Sequence, residues 1–211
     1  MKYLGKPAGM WALFAGSFEK HLTVEFDLTA GQAKDVAARA KKKYREIIAK
    51  LPEFDKRDRF EMNIVNCAML AAFILCMPQR PDIKTLTDYY AAAMMTPTMK
   101  AFCRASGKKK FTPKDIEGMK ATAKLRAGDR NPYSWNMDFF EYEDGRGYEA
   151  RFTTCGICTL MQVLGLYDLT PALCHLDYTM SDAGGASDFV REYTLASGGP
   201  YCDCGYHKKQ Q

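Results

Sequence analysis

Three thiol-bearing clusters fall in the last third of this chain: Cys155-x-x-Cys158, Cys174-His175-x-Asp177 and Cys202-x-Cys204. Five of the eight cysteines and two of the three histidines lie after position 150. They share that stretch with Arg151, Arg191 and the turn sequence Gly198-Gly199-Pro200. Thiol, imidazole, carboxylate and guanidinium gathered in this way are the parts of a nucleophilic site or of a metal site.

Cys155 stands where a strand pattern ends and a helical pattern begins. Unpaired N–H groups at a helix start favour the thiolate, the form that attacks carbon, and lower its pKa from a free value of about 8.5. The other readings of Cys155 are a metal ligand and a small buried residue at a strand-to-helix junction. Cys158 lies one turn further on the same face, with the spacing of a redox couple or of half a zinc site. The second half would be Cys202-x-Cys204. Residues two apart on a strand share a face, in a geometry unlike the tight turn of a zinc knuckle, so no metal ligand is assigned and zinc stands as the alternative. Cys174 and Asp177 are three apart and share a helix face, while His175 points about 100° away. Asp177 is then the companion of Cys174, either as acid or base or as a helix-end partner of backbone. Arg191 could hold a substrate carboxylate through two bonds, or pair with Asp177, Asp188 or Glu192.

The elements that must position these groups follow from periodicity. From Ala33, the apolar positions Val36, Ala37, Ala40, Tyr44, Ile47, Ile48 and Leu51 form a 3.6-residue stripe that ends at Pro52. A second helix is expected from Asp58 to Met77, apolar almost all round and therefore central. A third spans Ile83 to Met95. Thr96-Pro97 and Thr112-Pro113 each read as an N-cap followed by proline at the first helical position, the latter helix ending near Gly128. Periodicity changes at Asn131-Pro132. Strands are expected over 134–142 and 148–154, joined by Asp144-Gly145-Arg146-Gly147, and over 188–196 and 201–208 as a closing hairpin. Gly156 to Leu164 is helical and closed by Gly165, and Thr170-Pro171 caps a further helix carrying Cys174, His175 and Asp177. The fold class is α+β: a helical N-terminal half (1–130) packed on a C-terminal antiparallel sheet with inserted helices (131–211), as one domain.

Composition bounds the function classes. With 211 residues and 47% hydrophobic content the chain can bury a substantial core. The longest apolar run, Ile64 to Met77, is interrupted by Asn66 and is shorter than the ~20 residues of a spanning helix, so no membrane partner is expected. No secretory signal is read, which makes reduced thiols and a cytoplasmic location the expectation. Lys and Arg outnumber Asp and Glu 25 to 14 over residues 1–130, and are outnumbered 5 to 11 over 131–211. The basic runs Lys41-Lys42-Lys43 and Lys108-Lys109-Lys110 lack interleaved aromatics and read as solvated faces, not as a nucleic-acid surface.

Taken together, these residues resemble the L-2-amino-thiazoline-4-carboxylic acid hydrolase family. The resemblance is carried by Cys155-Gly-Ile-Cys158, Leu164-Gly165-Leu-Tyr-Asp-Leu-Thr-Pro171, Cys174-His-Leu-Asp177, Arg191-Glu-Tyr-Thr-Leu-Ala196 and Gly198-Gly-Pro-Tyr-Cys202-Asp. It extends more weakly over Asn63 to Met77 and the Trp135 segment, and more distantly the chain is similar to vinyl-reductase-like small-molecule-binding domains. Cys158 is particular to this chain, and Cys204-Gly205 stands where the family pattern places a bulky residue. The resemblance implies hydrolytic opening of a five-membered cyclic amidine acid to a carbamoyl-cysteine. That reaction needs a nucleophile or activated water, an acid for the leaving atom and a cation for the substrate carboxylate. Cys155, Asp177 and Cys174 are expected to be catalytic, and Arg191, Cys202 and His175 to bind substrate, without a cofactor. The alternative is a non-catalytic small-molecule or metal-binding protein of related fold.

Overall fold

A computed structural model describes residues 1–128 and 130–210. Helix α1 (Lys6–Glu25) places Pro7 in its first turn, where a missing N–H goes unnoticed, and buries Met10, Phe14, Phe18 and Leu22, four residues apart. Helix α2 (Ala30–Lys50) starts at a capping box of Thr29 and Gln32 and buries the stripe from Ala33 to Ile48. Helix α3 (Glu61–Ile74) is buried over nearly all its circumference and packs against α1 and α2. Helix α4 (Ile83–Met94) begins under an Asp82 cap, and α5 (Pro97–Gly107) and α6 (Pro113–Arg126) begin under Thr96 and Thr112, each with proline in the first turn. Aromatic rings lock the helices together: Trp11 stacks between Tyr44 and Phe73, and Phe18 meets Phe73, Tyr89 and Tyr90.

The C-terminal part forms a four-stranded antiparallel sheet, order β1-β2-β4-β3, from β1 (Asp138–Glu141), β2 (Gly147–Phe152), β3 (Ser187–Val190) and β4 (Cys202–Lys208). Inserted between β2 and β3 are α7 (Gly156–Val163), a 3-10 turn (Tyr167–Leu169), α8 (Thr170–Cys174) and α9 (Leu176–Gly184). The fold is α+β, as the change of periodicity implies. Alternation selects one face of the sheet: Tyr148, Ala150, Phe189, Cys202 and Cys204 are buried, with Tyr206 beside them. Their strand neighbours Glu149, Arg151 and Asp203 belong to the other face.

Several boundaries differ from expectation for identifiable reasons. Ser134 to Met137 does not extend the first strand. There the Trp135 carbonyl and the Ser134 hydroxyl serve Arg126, at 3.1 and 2.8 Å. Asp58 does not cap α3, whose N-cap is Phe60. It is buried, accepting the Ser134 hydroxyl at 2.6 Å and facing Arg126 at 3.2 Å. The third strand stops at Val190 instead of reaching Ala196, because the N–H groups of Glu192 and Tyr193 turn to the Asp203 carboxylate (3.0 and 2.7 Å). Thr170 does not cap its helix. It is the first residue of α8, fully buried, with a hydroxyl that finds no partner among the described residues.

Three close approaches fix how the layers meet. A Cβ on Gly107 would lie 2.2 Å from the Gly184 carbonyl oxygen, so α5 and α9 touch backbone to backbone. A Cβ on Gly156 would lie 2.1 Å from the Tyr133 carbonyl oxygen, so the segment leading to β1 presses on the start of α7. At Gly205 the Tyr142 hydroxyl would lie 2.5 Å from a notional Cβ, so the ring of Tyr142 closes over the strand there. Gly107→Ala should therefore destabilise the fold by about 1–3 kcal/mol through overpacking. Gly118→Ala, on the exposed side of α6 with nothing within 4 Å, should stabilise it by about 1 kcal/mol. Denaturant unfolding of the two variants measures both signs.

Candidate active site

Cys155 is the N-cap of α7, with extended backbone (φ −137°, ψ 115°). Its thiol pKa is lowered, first by the Cys158 thiol, which donates to it, against burial, and then by the N–H groups of Cys158 and Ile157 and the Trp135 indole. None of these backbone contacts has the geometry of a full cap hydrogen bond, so the effect is the summed field of donors aimed at one sulfur. The partner sulfur moves the other way: donation to Cys155 and burial both push the Cys158 thiol up. Of the pair, Cys155 is the thiol whose anion the surroundings favour, with Cys158 as donor. Trp135 is held for this by the buried Arg126–Asp58–Ser134 network and by its tilted contact with Phe60 (5.4 Å).

Arg191 lies just past β3 with its side chain 6% exposed. One nitrogen donates to Asp177 (2.8 Å) and reaches towards the Cys204 sulfur (3.8 Å), and the other donates to the Cys174 carbonyl (2.7 Å). Burial works against its charge, but Asp177, Cys204 and Cys174 outweigh that and hold it protonated. The ion pair with Asp177 is one of those the sequence allows. The helix also breaks here. His175 is the junction between α8 and α9, which frees the Cys174 carbonyl for Arg191 and starts a new helix with Asp177 in its first turn.

Asp177 keeps 45% of its side-chain surface, yet burial raises its carboxyl pKa, while Arg191 and then Lys110 pull it down. The half-exposed Cys155, Cys174 and Asp177 mark the open side of this cluster, which we call the recess. Cys174 is pushed up to about 12 by burial, with Arg191 opposing. Cys202 is also raised by burial, although its sulfur accepts the Leu195 N–H at 3.2 Å. Electrostatic coupling links Cys155 with Cys174 and Cys202 and links both with Asp177, so these residues share one neighbourhood. Under it, buried Cys67 of α3 senses Cys155, Cys174 and Asp177.

One expected residue falls outside. His175 is exposed and stacks on Tyr178 (5.2 Å, 30°), because the helix break turns it outward. Arg151 is on the far face of the sheet, bonded to Glu149 at 2.7 Å and lying over Tyr201 and Phe140. Sequence reasoning missed Trp135 and Lys110. Lys110 was read as part of a solvated run, whereas its amine lies 3.3 Å from the Tyr206 ring centroid. Aromatic residues 38 and 96 positions downstream give no local signal for that. Among the described residues, no group of three or more His, Cys, Asp or Glu side chains is arranged to hold a metal ion, and no helix is long and apolar enough to cross a membrane.

A family model described as L-2-amino-thiazoline-4-carboxylic acid hydrolase matches residues 62–206. The chain belongs to that hydrolase family. The match runs from α3 into β4 and includes every residue of the recess, while α1 and α2 precede it. No curated protein and no solved structure matches the chain significantly.

The Cys155 environment generates a test that needs no substrate. Iodoacetamide should label Cys155 ahead of the other cysteines, at a pH below that of an ordinary thiol. Cys158→Ala removes a donor that stabilises the anion, so the Cys155 pKa must rise and its labelling curve must move to higher pH. Peptide mass spectrometry across a pH series reads the shift.

Proposed function

We propose that this family member opens a small cyclic amidine acid of the 2-amino-thiazoline-4-carboxylate class by hydrolysis through a covalent thiol adduct. The observation that carries the reading is the Cys155 sulfur, set at a helix start among donors that favour its anion. The thiolate adds to the amidine carbon, which is electrophilic once the amidine is protonated. A tetrahedral adduct forms, one ring bond to that carbon breaks, and the leaving atom takes a proton from Asp177. Water then adds to the carbon, Asp177 accepts its proton, and Cys155 departs as thiolate, leaving a carbamoyl-cysteine. Atoms balance as substrate plus one water.

The raised pKa of Asp177 suits both halves of this cycle. A carboxyl group held above its usual range transfers protons near neutral pH more readily than an ordinary one. Arg191 orients it and keeps it from rising further. Cys174 and Cys202, both pushed up by burial, act as neutral thiols that wall the reacting ring. His175, exposed and turned outward, has no role in this scheme.

Cys155→Ser should lower kcat by about 10³-fold or more while the fold persists, since a buried serine hydroxyl is not an anion at neutral pH. Asp177→Asn should lower kcat by about 10²–10⁴-fold with little change in substrate affinity. Arg191→Lys keeps the charge but cannot reach Asp177 and the Cys174 carbonyl together, so kcat should fall about tenfold or more through misplacement of Asp177. Steady-state kinetics with 2-amino-thiazoline-4-carboxylate and related cyclic ureide acids measure all three. Full turnover by Cys155→Ser would overturn the covalent route, and binding without turnover by the wild type would favour the non-catalytic alternative.

A further inference from the structure

Lys110 occupies the α5–α6 turn. Lys108 and Lys109 beside it are exposed, as a charge run normally is. The Lys110 ammonium instead lies 3.3 Å from the Tyr206 ring centroid, 5.3 Å from Tyr148 and 5.7 Å from Phe111. Aromatic faces attract a cation but accept none of its three N–H bonds in the way an oxygen does. Among the described residues this ammonium has no hydrogen bond and no ion pair at contact distance, although it is half-buried. The favourable charge it feels most is Asp115, then Asp177, neither in contact with it, which leaves its N–H bonds to water or to a ligand.

The turn is built to hold it there. Phe111 adopts φ +63°, a left-handed conformation that bulky residues rarely take. Its N–H donates to Asp115 at 2.9 Å, and the Tyr148 hydroxyl donates to the same oxygen at 3.3 Å. Behind it, the Gly107–Gly184 contact brings α5 onto α9, the helix that carries Asp177. Lys110 lies close enough to Asp177 for each to shift the other. Burial lowers its own pKa to about 8, as expected of an ammonium short of partners. Meanwhile Arg191 is committed to Asp177 and the Cys174 carbonyl.

We propose that Lys110, held over Tyr206 at the Asp177 end of the recess, is the cation that receives the carboxylate of the ligand, while Arg191 serves only to position Asp177. The assignment rests on the cyclic amidine acid reading of the site. It places the two alternative roles read for Arg191, carboxylate partner and partner of Asp177, on two different cations, and it makes the ligand a small ring with an anionic group opposite its electrophilic carbon.

The test uses thiazolidine-4-carboxylate, which has the ring and the carboxylate but no amidine to hydrolyse, and its neutral carboxamide. Calorimetry with the wild type should show preference for the acid. Lys110→Met, which keeps the stem packed on Tyr206, should lower acid affinity by about 10- to 100-fold, the range for loss of a charged hydrogen bond, and leave carboxamide affinity unchanged. Lys110→Arg should restore part of the preference. Circular dichroism confirms folding, and Lys110→Gln takes the place of Met if that variant unfolds. Parallel loss of acid and carboxamide binding in Lys110→Met, unchanged acid affinity, or a wild type with no preference for the acid would each overturn the assignment. A wild type that prefers the acid through Lys110 but never hydrolyses the amino-thiazoline would sink the hydrolase reading and leave the assignment standing.

Discussion

A guanidinium with 6% of its side chain exposed can stay charged only if its donors are met, because an unpaired buried charge costs several kcal/mol. Arg191 meets that demand with one side chain and one main-chain carbonyl, Asp177 and Cys174. The carbonyl is available because α8 ends there, and the carboxylate is in range because α9 starts there. The strand behind Arg191 must also release it, which the Asp203 carboxylate brings about by drawing off the next two N–H groups. Helix break, strand end and loop path are thus consequences of housing one cation.

The electrostatics of the recess run in opposite directions at its two sides. At the α7 side, donors converge and lower the Cys155 thiol. At the α9 side, burial raises the Asp177 carboxyl against two cations. Opposed shifts of this kind bring the thiol and the carboxyl closer together on the pH scale than free cysteine and aspartate are. The thiols around them are raised by burial at Cys67, Cys174, Cys202 and Cys204, opposite in direction to Cys155.

Much of this was legible in the chain because it depends on local rules. Thr-Pro pairs start α5 and α6, Gly165 with φ +68° closes α7, and alternation on β2 and β4 puts Cys202 and Cys204 on the buried face. The Cys155 N-cap follows from the same reasoning. What escaped depends on partners far along the chain. Asp58 looks like a helix cap until Arg126 and Ser134, 68 and 76 positions away, claim it. Arg191 looks like a strand residue until Asp203 ends the ladder. The break at His175 has no glycine or proline to mark it, since its cause is a demand for a carbonyl made from another element. Helix α1 was not read from the sequence, although its buried positions recur every four residues.

The chain has only two tryptophans, and the fold separates them. Trp11 is sandwiched by Tyr44 and Phe73 among the N-terminal helices, while the Trp135 indole stands beside the Cys155 sulfur. A thiolate quenches indole emission by electron transfer and a thiol does so far less. The molecule therefore carries its own optical gauge: one chromophore is blind to the recess, the other dims or brightens with the charge on a single sulfur.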